Sequence, residues 1–111
     1  MNEFVLLFRH PNFEHRNDPE KLKEISKKWQ DWVGGIAAQG RLASNGMRLD
    51  HDGSVLRPGG VITDGPFVEI KEKLGGFFVV RAENKDDALT LAHGCPALDL
   101  GGSVEIRRIL Q

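Results

Sequence analysis

The chain has 111 residues, enough for one domain with a modest core and too few for two. Fifteen Lys and Arg stand against sixteen Asp and Glu, for a net charge of −1, so no global field recruits nucleic acid or an anionic membrane. A single cysteine excludes an internal disulfide framework and an all-cysteine metal centre, and no apolar run approaches the ~18 residues of a membrane span.

Phe4-Val5-Leu6-Leu7-Phe8 is a short continuous apolar run closed by Arg9-His10-Pro11, which predicts a strand buried on both faces. Pro11 to Asn17 reads as a polar loop. Asp18-Pro19-Glu20 is a helix start, with an N-cap acid, Pro at the first helical position and a second acid at the positive dipole end. Leu22, Ile25, Trp29, Trp32 or Val33, and Ile36 then recur at three- and four-residue steps as one apolar stripe, and Gly40 stops the helix.

Extended chain resumes from Arg41 to Leu49. His51-Asp52-Gly53 reads as a turn, and Ser54 to Arg57 is set to pair with Val61 to Thr63 across Pro58-Gly59-Gly60. The stretch from Arg41 to Ile70 is thus one or two hairpins of open register. Gly76 to Ala82 is a second strand apolar on both faces. Asn84 to His93 predicts a short helix, ended by Gly94 and Pro96. Cys95 reads as a small packed residue there rather than a reactive thiol. Ser103 to Leu110 alternates as a last strand.

The order strand, helix, hairpin, strand, helix, strand predicts an α+β fold. It is a ferredoxin-like split βαβ with an elaborated central hairpin, one domain over residues 1–111. Two helices cover one sheet face, whereas the apolar strands need cover on both. A second copy related by a two-fold axis supplies it, so a homodimer is expected.

The most distinctive stretch runs from Gly60 to Phe78. Asp64-Gly65-Pro66 has turn chemistry: Asp bonds nearby amides, Gly accepts positive φ and Pro sets φ. Phe67, Glu69, Lys71-Glu72 and Leu74-Gly75-Gly76-Phe77 follow, then Ala88, Pro96 and Glu105-Ile106-Arg107. This set closely resembles the signature of the DGPF-domain branch of the YCII-related proteins, over nearly the whole chain. The resemblance implies a dimeric α/β barrel, and an association with regulators of the extracytoplasmic-function sigma-factor type. Some YCII-related proteins carry a His on the first helix, proposed to work with an Asp. The matching position here is Trp29, so that pair is not available to this chain.

Asp64 has two readings, a general base or ligand anchor at a strand end, and an Asx-type cap that holds Gly65-Pro66. His10, at the end of the first strand, is the substitute imidazole that would partner it. Glu69 and Lys71 would orient a polar ligand or remain a solvated rim. Trp29 and Phe67 would stack on a flat or cationic ligand, or be core. His10, Glu14, His15, His51 and Asp52 match no established metal spacing, and the glycine pairs match no phosphate loop. No metal or cofactor is expected.

Three functions remain. One is a small-molecule-binding dimer lined by Trp29, Asp64, Gly65, Pro66, Phe67, Glu69 and Lys71. The second is a simple acid-base lyase, isomerase or hydrolase with Asp64 and His10 as catalytic groups. The third is an interaction module with a regulatory protein partner and no direct DNA contact. No leader-like segment precedes Glu3, so the cytoplasm is the expected compartment.

Overall fold

The computed structural model describes residues 1–11, 19–49, 53–65 and 72–110, and leaves out the side chains of residues 10, 11, 63–65, 72 and 73. The loop expected from Pro11 to Asn17 and the turn at His51-Asp52 fall, from residue 12 onward and at 51–52, outside the described residues.

The first strand, β1 (Asn2–Pro11), is longer than its apolar centre, because its polar ends also pair. Helix α1 (Pro19–Ala38) begins with Pro at its first position, where a missing N–H costs nothing. It ends in a Schellman arrangement: Arg41 N–H donates to the Ile36 carbonyl (3.1 Å) and Gly40 N–H to that of Ala37 (2.9 Å), with Gly40 at φ 71°. Strand β2 (Leu42–Arg48) follows, then a hairpin of β3 (Gly53–Arg57) and β4 (Val61–Gly65). Its register is Arg57 opposite Val61, Leu56 opposite Ile62 and Val55 opposite Thr63, across a 3₁₀ turn at Pro58–Gly60.

Strand β5 (Glu72–Ala82) starts four residues earlier than its apolar run, since Lys73 and Glu72 continue the ladder opposite His10 and Pro11. Helix α2 (Lys85–Ala92) is capped by Asn84, whose side chain accepts from Asp87 N–H at 2.9 Å. Pro96 does not merely end that helix. It sits at the start of a further helical turn, α3 (Pro96–Asp99), before β6 (Ser103–Arg108).

Four strands form one antiparallel sheet in the order β2-β5-β1-β6, and β3 and β4 form a separate two-stranded sheet. In the main sheet β5 lies between β1 and β2, and β1 lies between β5 and β6. Each crossover helix thus spans an intervening strand, an interleaving consistent with a ferredoxin-like α+β fold.

Alternation along the strands decides what is buried. Phe4, Leu6 and Phe8 of β1 and Phe78, Val80 and Ala82 of β5 point towards the helices. They pack with Ile36, Ala88, Cys95 and Ala97 into one core. Trp29, Trp32, Val33 and Leu91 flank this core, so the stripe of α1 meets it only from Trp29 onward, and Leu22, expected on it, is exposed.

The expectation that both central strands are buried on both faces is met on one face. Val5, Leu7, Phe77 and Val79 point the other way and are half-buried, and among the described elements no helix packs there. Met47 of the edge strand, opposite Phe77, is 70% exposed.

Gly46 sits at the irregularity between Ser44 and Met47, with φ 59°. A Cβ there would fall 1.7 Å from the Phe77 carbonyl oxygen, whereas one at Gly34 or Gly35 would meet nothing. Gly46→Ala is therefore expected to lower stability by at least ~2 kcal/mol. Gly34→Ala should raise it by about 0.5–1 kcal/mol through helix propensity. Urea unfolding monitored by tryptophan fluorescence measures both.

Candidate functional site

The described backbone that the sequence singles out lies at strand ends. β1 delivers His10 opposite Lys73, at the start of β5. β4 delivers Asp64 opposite Ser54 and Gly65 opposite Gly53, where the hairpin rejoins the rest of the chain. For His10, Asp64 and Gly65 the backbone is described and the side chain is not. Pro66, Phe67, Glu69 and Lys71 lie outside the described residues. The pairing of Asp64 with His10 as catalytic groups therefore remains an expectation.

Trp29 is the one candidate with a described side chain. Its ring stands edge-on to Phe8, with centroids 4.9 Å apart and planes at 82°, and edge-on to Trp32 at 5.5 Å. Trp32 in turn meets Phe8 and Phe78, and donates its indole N–H to the Leu91 carbonyl at 3.0 Å. Trp32 is thus anchored between sheet and α2, while Trp29 lies at the margin of the same cluster and is half-buried. Such edge-to-face contacts are each worth about 0.5–1.5 kcal/mol beyond the area buried. The core reading of Trp29 is supported by these contacts.

Phe8 links this cluster to the strand end. It is the last inward residue of β1 before a register shift at Phe8/Arg9, two residues ahead of His10. The aromatic margin and the His10 backbone therefore belong to one end of the sheet. At the other end, Asn2, Glu3, Arg108, Ile109 and Leu110 line a depression of about 240 Å³, where Arg108 donates to the Asn2 side chain at 3.1 Å. None of the residues singled out from the sequence lies there.

Two charged arrangements escaped the sequence reading. Asp87 accepts hydrogen bonds from the Arg41 guanidinium and from Glu83 N–H (2.9 Å), while Arg41 also donates to the Arg81 carbonyl at 3.0 Å. This knot ties the exit of α1 to the entrance of α2. On the face away from the helices, Arg9 pairs with Glu105 at 2.6 Å. Partners 46 and 96 residues apart leave no local pattern in a sequence.

The Glu83 N–H holds the Asp87 carboxyl below the ordinary carboxylate value. Burial opposes this, and Arg41 adds to the lowering. Burial pushes the Cys95 thiol up to about 11, against donors at Ala97 and Leu98, so it is protonated at neutral pH. This agrees with the packed, inert reading of Cys95, which is 2% exposed. No group of three His, Cys, Asp or Glu among the described residues could hold a metal ion, and no described helix is long and apolar enough to cross a membrane.

The model of the YCII-related domain matches residues 3–111, nearly the entire chain. The chain belongs to the YCII-related family. No curated protein matches it significantly. The family membership accords with the α+β architecture of this YCII-related domain.

The lowered value of Asp87 has a pH consequence. A depressed folded pKa contributes stability that is complete above the unfolded value, near 3.8, and is lost as pH falls through the folded value. Asp87→Asn should therefore be less stable than wild type at neutral pH, with the gap narrowing below about pH 4. Thermal unfolding followed by circular dichroism from pH 7 to pH 3 reads this difference. A gap independent of pH would contradict it.

Proposed function

We propose that this YCII-related domain belongs to the DGPF branch and acts as a cytoplasmic homodimer of the dimeric α/β-barrel type that binds a small organic molecule. The observation that carries the ligand reading is Trp29. A half-buried indole, fixed edge-on against Phe8 and Trp32, lies at the end of the sheet to which β1 brings His10. A rigid, partly open aromatic surface favours a flat or cationic ligand group. Trp29 and Phe67 would form the apolar part of the site. Asp64 anchors the polar group of the ligand, Gly65 and Pro66 hold that acid's backbone, and Glu69 and Lys71 provide the charged rim.

Where the site turns substrate over, Asp64 is the base and His10 its partner in an elimination, isomerisation or hydrolysis. Trp29 at the position of the relatives' helical His removes the proton carrier from α1 and leaves a stacking surface instead. This favours binding over acid-base work by a helical imidazole.

The homodimer is supported by the row Leu7, Phe77 and Met47 on the face that no described helix covers. Around it stand Glu3, Arg9, Arg81, Glu105 and Arg107, two acids and three bases. An apolar centre with a rim of both signs is the usual anatomy of a protein interface, and it suits an identical surface.

A thermal-shift screen of wild type and Asp64→Asn against small organic acids, amines and aromatics tests the ligand reading. At a hundredfold excess over Kd, a specific ligand adds about 2.7 kcal/mol. For a domain of this size that raises Tm by roughly 10–20 °C. The expected ligand stabilises wild type and not Asp64→Asn, and quenches Trp29 fluorescence in a Trp32→Phe background. A ligand that shifts both proteins equally and leaves Trp29 unquenched would place binding elsewhere and contradict the proposal.

A further inference from the structure

The β3–β4 hairpin hydrogen-bonds to itself and, among the described residues, to neither edge of the four-stranded sheet. An isolated two-stranded hairpin is at best marginally stable in water, and needs a further strand or an apolar packing partner. On one face this one carries apolar side chains that are largely exposed. Leu56 and Ile62 are directly opposite each other, share one face of the ribbon, and are 72% and 70% exposed; Val61 is 54% exposed. Cross-strand apolar pairs of this kind are characteristic of buried ribbon faces rather than solvated ones.

We infer that the β3–β4 hairpin is an arm that packs its Leu56–Ile62 face onto a second copy of the chain, clasping the homodimer. The inference rests on the homodimer reading above and extends it from the sheet face to the arm. The chain carries two incompletely covered apolar surfaces. One is the row Leu7–Phe77–Met47, and the other is the arm, which begins six residues after Met47 at Gly53. A two-fold axis lets each copy offer one arm and one sheet face and receive the same in return, so a single partner satisfies both. The near-neutral chain sets no charge barrier to self-association, and the mixed-sign rim of Glu3, Arg9, Arg81, Glu105 and Arg107 suits an identical rim better than a partner of one charge.

The arm also carries Asp64, two residues beyond Ile62 in the same strand. Seating the arm on the second copy would fix the backbone of Asp64 by an intermolecular contact. The candidate site would then be complete only in the dimer.

Sedimentation equilibrium of the full chain tests this with three proteins: wild type, the double variant Leu56→Ser/Ile62→Ser, and Leu110→Ser, which changes a still more exposed apolar residue away from the arm. The double variant should raise the dimer Kd at least ~10-fold, as truncation of central apolar contacts does, with the tryptophan emission of the core unchanged. Leu110→Ser should leave Kd as it is. A wild-type dimer whose Kd the double variant does not change overturns the arm assignment and leaves the homodimer standing. A wild-type monomer overturns both.

Should the double variant fail to fold, hydrogen exchange on the wild type decides. Amides of residues 54–57 and 61–65 should exchange more slowly above the dimer Kd than below it. Exchange there that is independent of protein concentration would mean that the arm is held by its own chain or by some other partner, and would overturn the inference.

Discussion

The structure depends on one constraint: β1 is paired on both sides, and its side chains are apolar on both faces at its centre. Inward, Phe4, Leu6 and Phe8 are closed over by α1, α2 and α3. Burying side chains of this kind contributes about 1.5–3 kcal/mol each, so this row and its β5 counterpart supply much of what holds so small a domain together. Phe8 does the most, because its ring meets Trp29, Trp32 and Phe78 together and so sets where α1 lies on the sheet. Outward, Val5 and Leu7 are half-buried, and among the described elements no helix covers them. The helix layer cannot serve both faces of β1, and the homodimer proposed for the domain follows from that asymmetry.

Much of this was legible in the sequence, for physical reasons that can be named. The apolar runs of β1 and β5, the Pro at the start of α1 and Gly40 at its end are local signals, and each is where it was expected, whereas the one-sided burial of those strands and the Asn84 cap were not. The pairing of Ser54–Arg57 with Val61–Thr63 across Pro58-Gly59-Gly60 is also local, whereas its register, Arg57 opposite Val61, came only with the structure. What escaped depends on contacts distant in the chain. The extension of β5 back to Glu72 comes from pairing with β1, not from the composition of the segment. The helical turn at Pro96 was hidden because Pro both ends helices and begins them. The Arg41–Asp87 and Arg9–Glu105 pairs join segments that only the folded sheet brings together.

The site was legible in a different sense. Its motif was recognisable as a string, and the family match agrees with it at the level of the YCII-related family, yet the roles of its residues depend on side-chain geometry that no spacing rule supplies. Trp29 illustrates the point. Helical periodicity assigns it to the core, and the resemblance read from the sequence implies the position of a functional residue. The structure shows a half-buried ring packed edge-on against Phe8 and Trp32, which bears out the core reading. The hairpin is the counterpart case. Its alternation looks like that of any half-buried ribbon, and only the fold reveals that the surface to bury it is absent from its own chain among the described residues.

The central claim is that the outward face of β1 and β5 meets a second copy. Isotope-filtered NOE spectroscopy on an equimolar mixture of ¹³C-labelled and unlabelled protein tests it most directly, because it sees only contacts between copies. The account predicts intermolecular NOEs to the methyl groups of Val5, Leu7, Met47 and Val79, and none to those of Leu6 and Val80, which face the helices. Intermolecular contacts confined to the helix side, or none at concentrations where the protein is stable and folded, would contradict it.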